Sequence, residues 1–416
     1  MKSVNVSIEK LVPTGKGLAR LGDGKIVFIP GVLPGETIRA ETIPGPGGTF
    51  RGRVLSIQKP SPIRVEPPCP LSERCGGCDW LFIQPDWAIK FKEEILMASI
   101  QRAGLTAPVP LLHPSPKGLP SRARARMHVD RDLFVLGFKA ARTTNVQPID
   151  ECPAMRPGLS KSISDFTKAL KETPLKQACQ VMLALDDDQR LACMLLDAKA
   201  KPLIKGYDRL YQSLEKQGFL VPSPKQPILR FDGPLLSQVT GLDCFFQANP
   251  EANNEMVTRI IELTKDKGTT ALDLFCGAGN ISLNLAMAGF KVTGMDSNRK
   301  CLGLAEKRAR ELKVRAGFRL ANLFAPASNN PVLSKHYLSK YDLVVMDPPR
   351  AGAKVISRML AQTGPSSILQ IGCDPATFAR DSAALAAGQY EMVSLDLFDF
   401  FPGTHHMEIL ASWQRR

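Results

Sequence analysis

Two short segments near the C-terminal end carry the side chains best suited to covalent chemistry. In Ile371-Gly372-Cys373-Asp374-Pro375 a cysteine follows the apolar run Ser367-Ile368-Leu369-Gln370-Ile371. Such a run reads as a buried strand, and the residue just past it stands at the carboxyl edge of an α/β sheet, where ligands bind. An isolated buried cysteine is usually structural. This one shares its predicted sheet with a glycine-rich loop, which favours a nucleophile. In Phe401-Pro402-Gly403-Thr404-His405-His406-Met407-Glu408 a carboxylate and two histidines lie together. A thiolate that adds to an electron-poor ring needs a base to remove a proton before it can leave again. Glu408 is assigned as that base, with His405 or His406 as the competing choice.

The glycine-rich loop is Asp273-Leu274-Phe275-Cys276-Gly277-Ala278-Gly279-Asn280, between a predicted strand and a predicted helix. Glycines there let backbone approach a ligand closely. Asp296 ends the next strand, where a carboxylate can accept both hydroxyls of a ribose. Asp347 ends a later strand in Asp347-Pro348-Pro349-Arg350. A dinucleotide site would more usually carry a third glycine where Ser282 stands, so the combination favours S-adenosylmethionine. A thiol beside a methyl donor suits carbon 5 of uracil. Addition of the thiolate at carbon 6 turns carbon 5 into a nucleophile. Asp347 can accept a hydrogen bond from uracil N3–H, which cytosine lacks. The target base must leave any stack to be reached. Asp-Pro-Pro also resembles the motif of exocyclic-amine methyltransferases, but Arg350 stands where those carry a stacking aromatic.

The elements that must position these residues read as follows. From about 231 strands alternate with helices, which predicts a doubly wound, mainly parallel sheet. Residues 1–60 hold short alternating segments, Ser3–Ile8, Lys25–Ile29, Glu36–Thr42 and Arg51–Ile57, punctuated by glycine and proline, and suggest a small barrel. A proline-rich linker covers 60–70, and Trp87–Gly104 has helical periodicity. Arg122, Arg124 and Arg126 alternate, so a strand sets all three on one face, a plausible phosphate-contacting row.

The sequence has 54 Lys+Arg against 40 Asp+Glu, a net charge of +14, which favours a polyanionic partner. No apolar run is long enough to span a membrane and the start lacks a signal-peptide core, so a cytoplasmic protein is expected. Ten cysteines are then not expected to form a disulfide framework. Cys69, Cys75 and Cys78, with Cys152 downstream, offer four thiolates. Their spacing permits tetrahedral zinc or an iron–sulfur cluster, with zinc the choice from spacing. Cys179, Cys193, Cys244, Cys276 and Cys301 read as structural.

The segments Asp273–Asn280, Asp347–Arg350, Ile371–Asp381 and Phe401–Glu408 together resemble the RNA (uracil-5-)-methyltransferase family, in order and approximate spacing, and the resemblance covers essentially the whole chain. It implies an α/β fold with a Rossmann-like S-adenosylmethionine methyltransferase domain over 231–416. It adds an N-terminal oligonucleotide-binding-type TRAM β-barrel over 1–60 and a central α+β iron–sulfur domain over 61–230. The helix near 88–110 is a candidate to pack on the catalytic domain. The resemblance makes Cys373 the nucleophile and Glu408 the proton acceptor. Gln247, Phe275, Asn280, Asp296, Asn322 and Asp347 become cofactor contacts, and Phe245 an aromatic that stacks on the target base. It tips the four cysteines from zinc to a 4Fe–4S cluster. The barrel points to 23S ribosomal RNA, with tRNA the alternative substrate and no obligate protein partner. Two residues depart from the family. Asp296 stands where Glu is frequent, one methylene shorter. Asp374 stands where Asn is common, and a carboxylate beside a thiol opposes thiolate formation unless it points away.

Overall fold

The N-terminal strands close into a barrel. In the computed structural model, which describes every residue except 1, 131, 142, 174, 176–179, 223–225 and 326–334, β1 (Lys2–Leu11), β2 (Gly17–Arg20), β3 (Ile26–Ile29), β4 (Thr37–Pro44) and β5 (Phe50–Lys59) pair in the order β1-β2-β3-β5-β4, and β1 closes on β4. Alternation turns Val6, Ile8, Val27, Ile29 and Ile38 inward and leaves Arg39, Arg51 and Arg53 exposed. The barrel is fastened to the following linker by Glu36. Its buried carboxylate accepts from the Leu33 and Ser61 amides (2.8 and 3.2 Å) and from the Arg64 guanidinium (2.6 and 2.8 Å).

Helix α1 (Pro85–Arg102) begins on a proline, harmless in a first turn whose amides lack intrahelical partners. Its apolar face, including Ile89, Phe91, Ile95, Leu96 and Ile100, joins the core beneath the large C-terminal sheet. Strand β6 (Leu111–His113) then forms the edge of that same sheet. Strands β7 (Arg124–Asp130), β8 (Val135–Lys139) and β9 (Val146–Pro148), helix α2 (Pro157–Glu172), strands β10 (Gln180–Leu185) and β11 (Leu191–Leu196), and helix α3 (Asp208–Lys216) make a second unit. Its antiparallel sheet runs β11-β10-β7-β8-β9. Leu159, Ile163, Phe166, Leu210 and Leu214 of the two helices pack on it.

A hairpin of β12 (Ile228–Phe231) and β13 (Gln238–Gly241) leads to α4 (Pro250–Leu263) and the catalytic sheet. Its remaining elements are β14 (Thr270–Leu274), α5 (Asn280–Met287), β15 (Lys291–Asp296), α6 (Arg299–Leu312), β16 (Ala316–Leu320), α7 (Lys335–Leu338), β17 (Leu343–Met346), α8 (Lys354–Thr363), β18 (Ser367–Gly372), α9 (Pro375–Ala387), β19 (Tyr390–Phe398) and β20 (Glu408–Arg415). The order is β16-β15-β14-β17-β18-β20-β19-β6. Pairing is parallel from β16 to β18, and β20 runs antiparallel between β18 and β19. Strands β17 and β18 are buried at every position, as continuous apolar strands covered on both faces must be. The order reverses between β14 and β17, the switch point at which open α/β sheets bind ligands.

Cys244 and Cys301, read as structural, are both buried and joined by a disulfide. Cys193 and Cys276 are buried and free, and Cys179 lies outside the described residues. Among the described residues no helix is long and apolar enough to cross a membrane.

A buried ion pair ties α1 to the sheet. Lys92 is fully buried, and its ammonium lies 2.6 Å from Asp399 Oδ1 and 3.4 Å from the Phe401 carbonyl. Burial pulls the Lys92 pKa down, against the opposing pull of Asp399. Removing one partner of such a pair strands a buried charge. Lys92→Met is therefore expected to cost about 3–5 kcal/mol in urea unfolding, and adding Asp399→Leu to restore much of that loss.

Candidate active site

The cofactor loop is held open by backbone geometry. Phe275 has φ +66°, Gly277 +53° and Gly279 +86°. For glycine these values are ordinary; for Phe275 they are strained. A Cβ on Gly279 would lie about 3.1 Å from Leu283 and 3.2 Å from Ala305, so helix α5 can start there only without a side chain. Asp296 holds the loop from the next strand. Its Oδ2 accepts from the Gly277 amide (3.0 Å) and its Oδ1 from the Asn298 amide (2.8 Å). Asn280 exchanges amide hydrogen bonds with Asn253 of α4 (2.8 and 3.3 Å). The Phe275 ring lies 5.5 Å from the exposed Phe324 ring. Asn322 is exposed, and its Oδ1 accepts from the Phe324 amide (3.1 Å). Gln247 is buried in the segment that leads into α4.

Asp273 and Glu408 are buried, and Asp347 is half-buried. Burial pushes Asp273 and Asp347 up to about 7. Asp273 accepts a 2.5 Å hydrogen bond from Ser282, which opposes the shift, while the charges of Asp347 and Asp296 add to it. Glu408 is pushed well above the usual carboxylate range, by burial first and then by Asp347.

The sheet register brings Cys373 to these acids. Gly372 of β18 pairs with Ile409 of β20, so the next residues out are Cys373 and Glu408, side by side at the carboxyl edge. Asp347 follows the neighbouring strand β17. The Cys373 thiol is pushed up to about 12 by burial, then by Glu408 and Asp347, and Arg350 pulls it back. Asp374, the suspect neighbour, points away. It caps α9, accepting from the Ala376 and Thr377 amides (3.1 and 2.8 Å). Its charge is spent on a helix start rather than on the thiol.

Of the two histidines, His406 lies against the Arg350 guanidinium (3.0 Å to Nδ1), and burial, then His405 and Arg350, drives it down to about 3. His405 turns the other way, with Nδ1 2.6 Å from Asp79 Oδ2. Asp79 Oδ1 also accepts from the His405 amide (3.1 Å), and Trp80 N–H donates to the Gly403 carbonyl (2.9 Å). The barrel reaches this junction through Gly15, whose carbonyl accepts from the Trp80 indole (2.9 Å). Gly15 has φ +75°, and a Cβ there would come within 2.5 Å of Asp79 Oδ2.

Phe245 is 70% exposed. The Arg124 guanidinium sits 5.5 Å from its ring and 4.6 Å from that of Phe246, and donates to the Phe246 carbonyl (3.2 Å). Arg122 lies 5.7 Å from the Phe401 ring. Cys69, Cys75, Cys78 and Cys152 line one cavity of about 210 Å³. Burial raises the Cys75, Cys78 and Cys152 thiols, and the neighbouring cysteines raise them further. Among the described residues, no group of three or more His, Cys, Asp or Glu side chains is drawn together closely enough to hold a metal ion.

Sequence reasoning missed Asn253, the partner of Asn280; the bond from Ser282 to Asp273; and Arg350 as the cation beside the thiol. For Asn253 the signal was present: Asn249-Pro250 marks a capped helix start, and Asn253 falls in its first turn.

Strand order, glycine loop and acid-terminated strands define a Rossmann-like S-adenosylmethionine-dependent methyltransferase. A family model described as tRNA (Uracil-5-)-methyltransferase matches residues 237–415, and the TRAM domain model matches 2–42. The chain is 32% identical to the 23S rRNA (uracil(1939)-C(5))-methyltransferase RlmD of Shewanella sediminis, over 99% of this chain and 96% of that one. It is 28% identical to the like-named protein of Hahella chejuensis, over 100% and 98%. The structure of Pyrococcus abyssi tRNA (uracil-54, C5)-methyltransferase with S-adenosyl-L-homocysteine matches the fold with a TM-score of 0.74 at 22% identity, covering 99% of this chain and 100% of that one. The chain belongs to the RNA (uracil-5-)-methyltransferase family.

The raised acids make stability depend on pH with a definite sign. Between about pH 4 and pH 7 the folded protein keeps a proton on Asp347 that the unfolded chain has lost, so stability falls as pH rises across that window. Asp347→Asn removes this contribution. In cofactor-free urea unfolding, the variant is expected to gain on the wild type by up to about 1.4 kcal/mol per pH unit over that range, with no such gain at lower pH.

Proposed function

We propose that the chain methylates carbon 5 of a uridine in 23S rRNA, at the position equivalent to the one for which its relatives are named. The observation that carries this reading is the meeting of Cys373, Glu408, Asp347 and Arg350 at one sheet edge, beside the cofactor loop. Gln247, Phe275, Asn280, Asp296, Asn322 and Asp347 would hold S-adenosylmethionine, which when bound supplies an electrophilic methyl group. The loop geometry fits: the Gly277 and Gly279 backbone is free of side chains, and Asp296 is already oriented by two amides.

Phe245 stacks on the extruded uracil, held in place by Arg124, and Asp347 accepts from N3–H. Cys373, as the thiolate, bonds through sulfur to carbon 6, pushing the ring electrons to carbon 5, which takes the methyl group while the electron pair of the broken carbon–sulfur bond leaves with S-adenosylhomocysteine. Glu408 then removes the carbon-5 proton. The freed electron pair restores the carbon 5–carbon 6 double bond and expels the thiolate. Arg350 favours the thiolate at both ends of the sequence, and a carboxylate with a raised pKa is a stronger proton acceptor once ionised. The proposed setting is the cytoplasm, with no obligate protein partner.

Cys69, Cys75, Cys78 and Cys152 would hold a 4Fe–4S cluster. Four sulfur donors around one cavity, with Arg122 alongside, suit that group. Its role is to tie the segment carrying Asp79 to the central sheet.

RNA containing 5-fluorouridine tests the nucleophile, because fluorine at carbon 5 blocks the elimination. A covalent adduct is expected with the wild type and none with Cys373→Ala; an adduct that survives the substitution places the nucleophile elsewhere. On ordinary RNA, Glu408→Gln is expected to accumulate the methylated adduct, and rapid turnover by that variant would move the base to another group. Iron and sulfide analysis of anaerobically purified protein tests the cluster; stoichiometric zinc without iron would contradict it.

A further inference from the structure

A groove of about 530 Å³ lies outside the proposed catalytic centre, between the central sheet and the start of α6. Its volume falls within the range of small-molecule sites, about 300–1,000 Å³. One wall is apolar, with the exposed Ala200 and Pro202 beside the buried Met182, Met194 and Leu196 of β10 and β11. The other is polar and basic, with Arg299 and Lys300 opposite Arg126 of β7. Lys300 is paired with Asp243 (3.1 Å), whereas Arg126 and Arg299 are exposed. None of the residues assigned to S-adenosylmethionine lines this groove.

Its position relative to Phe245 gives it meaning. Arg124, which holds the Phe245 ring, and Arg126, which lines the groove, are two residues apart on one strand, an advance of about 7 Å along the same face. A base taken out of its stack leaves its neighbours with an uncovered face. We propose that this groove receives the base of the nucleotide next to the target uridine, laid against the apolar wall at Ala200 and Pro202, with Arg126 and Arg299 facing the flanking phosphates. The inference rests on the uracil-methylation reading and deepens it. It makes the enzyme sensitive to the identity and presence of one neighbouring base, in addition to the uridine itself.

The test uses the full protein and short substrate RNAs in which the nucleotide on either side of the target uridine is made abasic, one side at a time. Losing the base held in the groove should raise KM at one of the two positions and not at the other, with kcat little changed. In Arg126→Ala/Arg299→Ala, KM for the intact RNA should rise and the abasic penalty shrink. Binding of S-adenosylmethionine, measured by calorimetry, should stay as in the wild type. Equal KM for both abasic RNAs and the intact one, with normal Cys373 adduct formation on intact 5-fluorouridine RNA, would overturn the groove assignment. So would a variant that loses cofactor affinity instead. Absence of the adduct on intact RNA would overturn the uracil reading itself, and with it the occupant proposed here.

Discussion

The structure turns on placing three carboxyl groups and a thiol at one buried sheet edge with a single guanidinium beside them. Burial alone disfavours every charge there, and the acids disfavour one another further. The consequence is a site that rests close to neutral: Asp273 and Asp347 at about 7, Glu408 well above the usual carboxylate range, and Cys373 at about 12. A methyl donor carrying positive charge and an electron-poor ring are what such a site lacks, and each would draw one of its anions into being. Arg350 is well placed to mediate, since it acts on both Cys373 and Glu408. His406 beside it is kept neutral and does not compete for the same anions.

Holding this edge in register requires support from outside the sheet. The loop between β19 and β20 leads into Glu408, and three contacts from earlier in the chain fasten it. Lys92 of α1 takes Asp399 and the Phe401 carbonyl, Trp80 takes the Gly403 carbonyl, and Asp79 takes both His405 nitrogen donors. The barrel presses on the same junction at Gly15. The residue next to Cys78 therefore clamps the loop that ends at Glu408. That arrangement gives the cysteine segment a mechanical reason to be ordered.

The parts legible in the sequence were those written in short range. Cys373, Asp347 and Asp296 follow apolar runs that can only be buried parallel strands, so their edge position was readable. Glu408 was readable as a residue type but not as a neighbour, because its placement depends on β20 inserting antiparallel beside β18. Strand β2 was hidden: it is four residues long and opens on the glycine of an apparent turn. The Lys92–Asp399 pair spans 307 residues, and no local pattern marks a lysine that will be buried. Likewise the Cys244–Cys301 bond joins two segments whose proximity only the tertiary fold creates.

The arginine row shows how one local pattern comes to serve several ends. Alternation along β7 and the residues before it sends Arg122, Arg124 and Arg126 to one face, as period-two geometry requires. The three are then distinguished by what stands opposite. Arg122 lies between the cysteine cavity and Phe401, Arg124 braces the exposed Phe245 ring, and Arg126 lines both the cysteine cavity and the groove beside α6. Burial draws Arg124 down to about 10, with Arg126 adding to the shift, so the middle guanidinium remains charged at neutral pH but is the least hydrated of ligands for a passing phosphate. It is better suited to hold an aromatic ring than to bind the backbone. Of the three, Arg126 is exposed, and Arg122 and Arg124 are half-buried.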